Sequence, residues 1–310
     1  MKILLLQRQG LRVAWIALVA LFGLPAWGKG EELPESKASL PANASQDTSL
    51  CGVVEDYFLH WFDRVDQARA TQPKWMVPVV TIPPTLQELF RFDTFFQTLP
   101  NGTNLTNLGG GRTLQLVPWD TLEVDLGYPP YLTRSPSSPK APDGWGDTTF
   151  QVKYRLVSST ELEGNYVVSA DLGFTAPTAD ERANSVAHGH AVYTPGVLFG
   201  KGWGEIFDIQ ANLLVSVPDG GPASKLFLYN VVFQGHVAKV LWPELELNGT
   251  YWIDGSLEGK HQLFLTPGIV LARFTIFDRL QFGIGAGYQI ALTSHPLTNH
   301  NWILTLRLPF

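Results

Sequence analysis

His188-Gly189-His190 is one place in this chain where residue types and spacing could begin a metal site. No acidic or cysteine complement stands at a recognised spacing, so the pair reads as solvent-exposed loop and no metal is expected. Gly109-Gly110-Gly111 has no following Lys-Ser/Thr and is a flexible loop rather than a phosphate cradle. The Gly-x-Ser-x-Gly nucleophile elbow is absent from the sequence. His236 is the histidine best placed inside a strand-like segment for hydrolysis, and no serine on a neighbouring strand pairs with it. Neither catalysis nor a cofactor is expected.

A different chemistry is carried by charged and amide side chains that recur at alternate positions. They are Glu123 and Asp125, Lys153 and Arg155, Asp171, then Asp208, Gln210 and Asn212, then Glu244 and Glu246, and last Arg307. Such groups can line a polar path and select solutes by charge. They can equally pair across neighbouring strands and brace a wall. Glycines 283, 285 and 287 leave room on the same side, or ease strand curvature.

The elements that hold these residues are strands. Leu122, Val124, Leu126 and Tyr128 alternate with Glu123, Asp125 and Gly127, and Phe150, Val152, Tyr154 and Leu156 alternate with Gln151, Lys153 and Arg155. The same period of two runs through Tyr166–Phe174, Phe207–Val217, Leu245–Ile253 and Leu280–Ile290. Segments 190–201, 225–239 and 260–274 are less regular but strand-like in composition. Alternation sustained over nine or more residues exceeds the usual strand of a soluble sandwich, whereas a transmembrane strand needs ~9–11 residues. The expected fold is therefore all-β: an antiparallel transmembrane β-barrel of about twelve strands with a short N-terminal extension. Its least secure strand is the first, near 86–97, and losing it with one neighbour would leave about ten strands.

Composition agrees. Charged residues are 16% and apolar residues 45% of 310, with 29 glycines and 22 prolines, as many turns would require. A formal charge of −6 gives no basic face for nucleic acid. One cysteine, Cys51, excludes an internal disulfide framework. Residues 1–28 have the basic start, apolar middle and Ala26-Trp27-Gly28 site of a signal peptide, so the chain is expected to be exported to the outer membrane. Residues 29–84 read as a periplasmic linker with a short helix near 52–70, and 85–310 as the barrel. With the carboxyl end in the periplasm, the short connections fall on the periplasmic side and the long ones outside. Trp119, Tyr128, Tyr131, Trp145, Trp203, Trp242 and Trp302 lie near strand ends, as interface aromatics do.

The chain closes on His300–Phe310, with Trp302, Leu304, Leu306, Leu308 and Phe310 on one face. That set is expected to be the signal read by the barrel-assembly machinery.

Gly144-Trp145-Gly146-Asp147 followed by Lys153-Tyr154-Arg155-Leu156 resembles the G-x-G-D-x-x-x-x-x-K-Y-x-L signature of a family of outer-membrane proteins named after the meta-pathway of phenol degradation. Leu263–Gly268 and the aromatic-terminated last strand look similar as well. The resemblance covers roughly 85–310 and implies uptake of small, often hydrophobic or aromatic, compounds; it brings no catalytic residues. The expected function is a channel with outer-membrane lipid and a small solute as partners. A non-conducting structural or adhesive barrel is the alternative.

Overall fold

The computed structural model describes residues 50–110, 113–294 and 296–310. The expected signal segment and the linker up to residue 49 lie outside the described residues, as does Gly111. Two short helices come first, α1 (Leu50–Leu59) and α2 (Trp61–Ala70).

After an irregular stretch the strands follow: β1 (Leu89–Thr98), β2 (Asn104–Leu108), β3 (Leu114–Trp119), β4 (Leu122–Gly127), β5 (Tyr131–Ser135), β6 (Gly144–Trp145) and β7 (Thr148–Ser159). Next come β8 (Tyr166–Ala176), β9 (Val192–Trp203), β10 (Phe207–Pro218), β11 (Leu226–Gly235), β12 (Leu241–Trp252), β13 (His261–Phe277), β14 (Leu280–Ala291) and β15 (His300–Pro309). All pair antiparallel, and β15 returns to β1 over Leu89↔Pro309 through Thr98↔His300. The result is a closed barrel of 12 strands. Closure leaves no unpaired sheet edge in the wall.

Three of the twelve come in two pieces. β2 and β3 share β1 as neighbour, β4 and β5 form the next strand, and β6 and β7 the one after. The first strand exists and begins at Leu89, because Phe90, Phe92 and Phe96 alternate with Arg91, Asp93 and Phe95.

Short turns gather at one end: Asp120-Thr121, 160–165, 204–206, 236–240 and Asp278-Arg279. The connections 99–103, 136–143, 177–191, 219–225, 253–260 and 292–299, which include every long one, stand at the other. Side-chain direction follows the pleat. Leu126, Phe150, Tyr154, Leu213, Ile284 and Leu304 are exposed on the outer face, while the alternate polar residues are buried within. Trp119, Tyr128, Trp145, Trp203 and Trp302 are exposed outer-face aromatics. Trp242 departs from that expectation. On β12 it shares the inward face with Glu244 and is 1% exposed, packed against Met76, Val79, Val270, Ala272 and Ile303.

Candidate functional site

The lumen is filled by residues 72–88. Sequence reading grouped 72–84 with the linker; the structure places this stretch inside the barrel. It forms a loop whose neck is closed by Gln72, which donates Nε2 to Leu86 O at 2.8 Å and accepts from Leu86 N at 2.9 Å. Ends brought together in this way define an Ω-type loop. Its composition explains why it is buried: Trp75, Met76, Val77, Val79, Val80 and Ile82 are too apolar for a solvated linker. Pro73, Pro78, Pro83 and Pro84 also remove backbone donors that a buried segment would have to satisfy.

Many of the remaining backbone groups of this strap find partners on the wall. Donors meet carboxylates: Val79 N gives to Glu244 Oε1 at 2.8 Å, while Val80 N and Thr81 N give to the two oxygens of Glu246, each at 2.7 Å. Gln87 N gives to Glu123. Acceptors meet cations and amides. Arg307 donates to Val77 O and Pro78 O, Lys153 to Thr85 O at 3.2 Å, Gln210 to Met76 O at 3.0 Å, and Asn212 to Ile82 O at 3.4 Å. Arg155 reaches the strap's base, donating to Ala68 O, Thr71 Oγ1, Gln72 Oε1 and Asp120 O. An irregular chain has no ladder of its own, so a polar wall supplies what a sheet or helix otherwise would.

Most of the alternating polar residues therefore converge on one object. The other three do different work. Asp125 accepts from Gln115 at 3.2 Å and Asp171 from Gln151 at 2.6 Å, whereas Asp208 accepts from Gln210 and is hydrogen-bonded to His236 at 2.6 Å. His236 thus has an aspartate partner. Lys153 and Glu123 form an ion pair of 2.6 Å across β7 and β4, with both side chains fully buried. Two wall residues outside the sequence-derived set matter as much. Arg91 and Asp93 on β1 pair at 2.7 Å, and Arg91 also donates to Pro78 O and Val79 O. The alternation Phe90-Arg91-Phe92-Asp93 carries the same period-two signal that marks the others.

Space on the wall is matched to the strap. A Cβ on Gly200 would collide with the Trp75 ring, and one on Gly287 would come within 3.2 Å of Val79 Cγ1. Gly287 thus has a packing use that spacing alone left open. Between the strap and the interrupted part of the wall remains a chamber of about 320 Å³. Val79, Val80, Ile82, Phe95, Leu214 and Leu228 give it an apolar side, and Asp125, Gln151 and Asp171 a polar one. The described residues contain no cluster of three metal-ligating side chains.

The helices sit at the short-turn end. Tyr57 Oη donates to Pro118 O at 3.0 Å, Arg64 Nε to the same oxygen at 3.2 Å, and Arg69 to Phe310 O at 2.7 Å. Arg279, in the β13–β14 turn, donates to both oxygens of Asp66, at 2.8 and 2.6 Å. Those bonds hold the Asp66 carboxyl below its ordinary pKa. A carboxylate depressed by folding stabilises the fold above its unfolded pKa, ~3.9, and loses that effect as pH falls through the folded value. Amide exchange in α2 is accordingly expected to speed up as pH is lowered below about 4 relative to its intrinsic rate, and Asp66→Asn to show the faster exchange already at neutral pH. Hydrogen-exchange mass spectrometry on the full chain checks it.

A closed antiparallel barrel, apolar outside and polar within, defines the outer-membrane class of transmembrane β-barrel. Within that class, residues 87–254 match the family described as "Putative MetA-pathway of phenol degradation", and the chain belongs to it. Among solved structures it is similar to an outer membrane channel from Pseudomonas putida F1, at 16% identity and a TM-score of 0.49, covering 72% of this chain and 94% of that one. It is also similar to the KdgM porin (7% identity, TM-score 0.43, 72% and 99% covered). A third is the outer membrane channel DcaP of Acinetobacter baumannii (10%, 0.32, 72% and 95%). No curated protein sequence matches the chain.

Proposed function

We propose that this protein is an outer-membrane uptake channel for small, partly apolar solutes, aromatic ones included, which cross by passive diffusion. Export through a cleaved signal peptide and insertion guided by the Trp302–Phe310 face belong to the same reading. So does a periplasmic location for the short-turn end. The observation that carries it is the 320 Å³ chamber, large enough for one small aromatic molecule and lined by apolar groups on one side and hydrogen-bonding groups on the other. Asp125, Gln151 and Asp171 stand among its lining residues, and their carboxylate and amide oxygens are the kind of acceptor a solute hydroxyl needs. Onward passage requires the strap to shift, since its loop occupies the lumen.

A saturated strap favours one second reading, a barrel that does not conduct. Liposomes holding the purified full chain separate the two. The channel reading expects them to admit phenol-sized hydroxylated aromatics several-fold faster than a bulky disaccharide, both measured against protein-free liposomes. Equal, background-level entry of both sinks it.

A further inference from the structure

The helix pair continues a single apolar stripe that is only half covered. In α2, Val65 and Ala68 are buried against Leu86 and Val117, with Trp61 packed beside them. Upstream, in α1, Val53 is 58%, Val54 47% and Phe58 62% exposed, and nothing in the described residues covers them. These three share a face with Tyr57 by the three- and four-residue spacing of a helix, while Glu55 and Asp56 lie on the other side.

What adjoins this bare face is the lipid-facing belt. Trp119 pairs with Leu122, which alternates with inward-pointing Glu123, so Trp119 points outward and is exposed. The Tyr57 ring lies 6.3 Å from the Trp119 ring, centroid to centroid, and Phe58 stacks on Trp61 at 6.2 Å. Arg64 sits over Tyr57 at 4.0 Å and donates to Pro118 O and Tyr57 O, so a cation stands beside these rings. Aromatics of this kind prefer the lipid–water boundary, and an amphipathic helix there buries its apolar face while keeping its charges wet.

We propose that α1 is an interfacial helix, its Val53–Val54–Phe58 face seated in the lipid leaflet beside Trp119 and Glu55–Asp56 left toward water. It anchors the strap: the chain enters the lumen from a point fixed to the membrane, so the strap can shift within the barrel without leaving it. The inference rests on the barrel's place in a membrane and not on transport, so a failed flux experiment leaves it standing.

The test uses the full chain in phosphatidylethanolamine–phosphatidylglycerol liposomes, on a Cys51→Ser background. An environment-sensitive fluorophore is attached at Phe58→Cys, at Val54→Cys, or at Glu55→Cys as control. Probes at 58 and 54 should be blue-shifted and quenched at least twofold more than the control by lipids brominated on the acyl chain, and shielded from aqueous iodide. The quenching should survive tenfold dilution of protein in lipid. Iodide access equal to the control's would overturn the proposal, because the face would then lie in water. Loss of the signal on dilution would assign the face to a second copy, and shielding from both quenchers to the protein's own residues 1–49; either result also overturns it.

Discussion

Removing Pro73–Thr85 and joining Gln72 to Leu86 through two glycines should raise single-channel conductance several-fold in planar bilayers. The deletion is geometrically mild, because Gln72 and Leu86 already hydrogen-bond across the neck of the loop. The barrel should survive it, since every wall strand is paired with two neighbours and none pairs with the strap. What the strap loses, water replaces: Glu244, Glu246, Arg91 and Arg307 would face a hydrated pore rather than unpaired burial. Carboxylates at 93, 123, 125, 171, 208, 244 and 246 outnumber the cations at 91, 153, 155 and 307, so the opened pore should prefer cations. Unchanged conductance with an intact barrel would mean that the strap is not the obstruction.

Lys153→Ala should be among the most destabilising single substitutions in the wall. Its ammonium is fully buried, 2.6 Å from Glu123, and also donates to Thr85 O. Taking away one member of a buried pair leaves an uncompensated charge, at a cost of about 3–5 kcal/mol. Glu123, itself fully buried, would keep only the Gln87 N–H as a donor among these contacts. Replacing both partners, Lys153→Met with Glu123→Gln, keeps an acceptor for Gln87 and removes both charges. The double variant should therefore recover most of the loss, to within about 1–2 kcal/mol of the native protein. Denaturant unfolding of the three proteins in the same lipid measures it. A single variant as stable as the native chain would show that the pair contributes little.

The barrel was legible in the sequence because its wall obeys a local rule. Period-two alternation placed Lys153 and Arg155 opposite Phe150 and Tyr154 without knowledge of any neighbour, and connection length sorted the two ends. Trp242 broke the rule of thumb for aromatics near turns. Its inward direction is set by register with Glu244, and its burial among Val270, Ala272 and Ile303 of the wall is completed by Met76 and Val79 of the strap. That cover was not legible. The strap has no periodicity, and its partners lie up to 230 positions away in the chain, as between Val77 and Arg307. Apolar composition with four prolines did hold a signal, since Trp75–Ile82 is a poor solvated linker. What such a segment packs against is a non-local property. For the same reason the alternating charges could be read as lumen-facing, while their shared role as partners of one backbone could not.

The central claim is that solutes pass through this lumen when the strap gives way. A lock tests it most directly. Val79 and Gly287 face each other closely enough for a disulfide between Val79→Cys and Gly287→Cys, on the Cys51→Ser background. Entry of a phenol-sized aromatic into liposomes should fall toward the protein-free rate when the pair is oxidised and return on reduction. Entry that is the same in both states, or absent in both, would contradict the account.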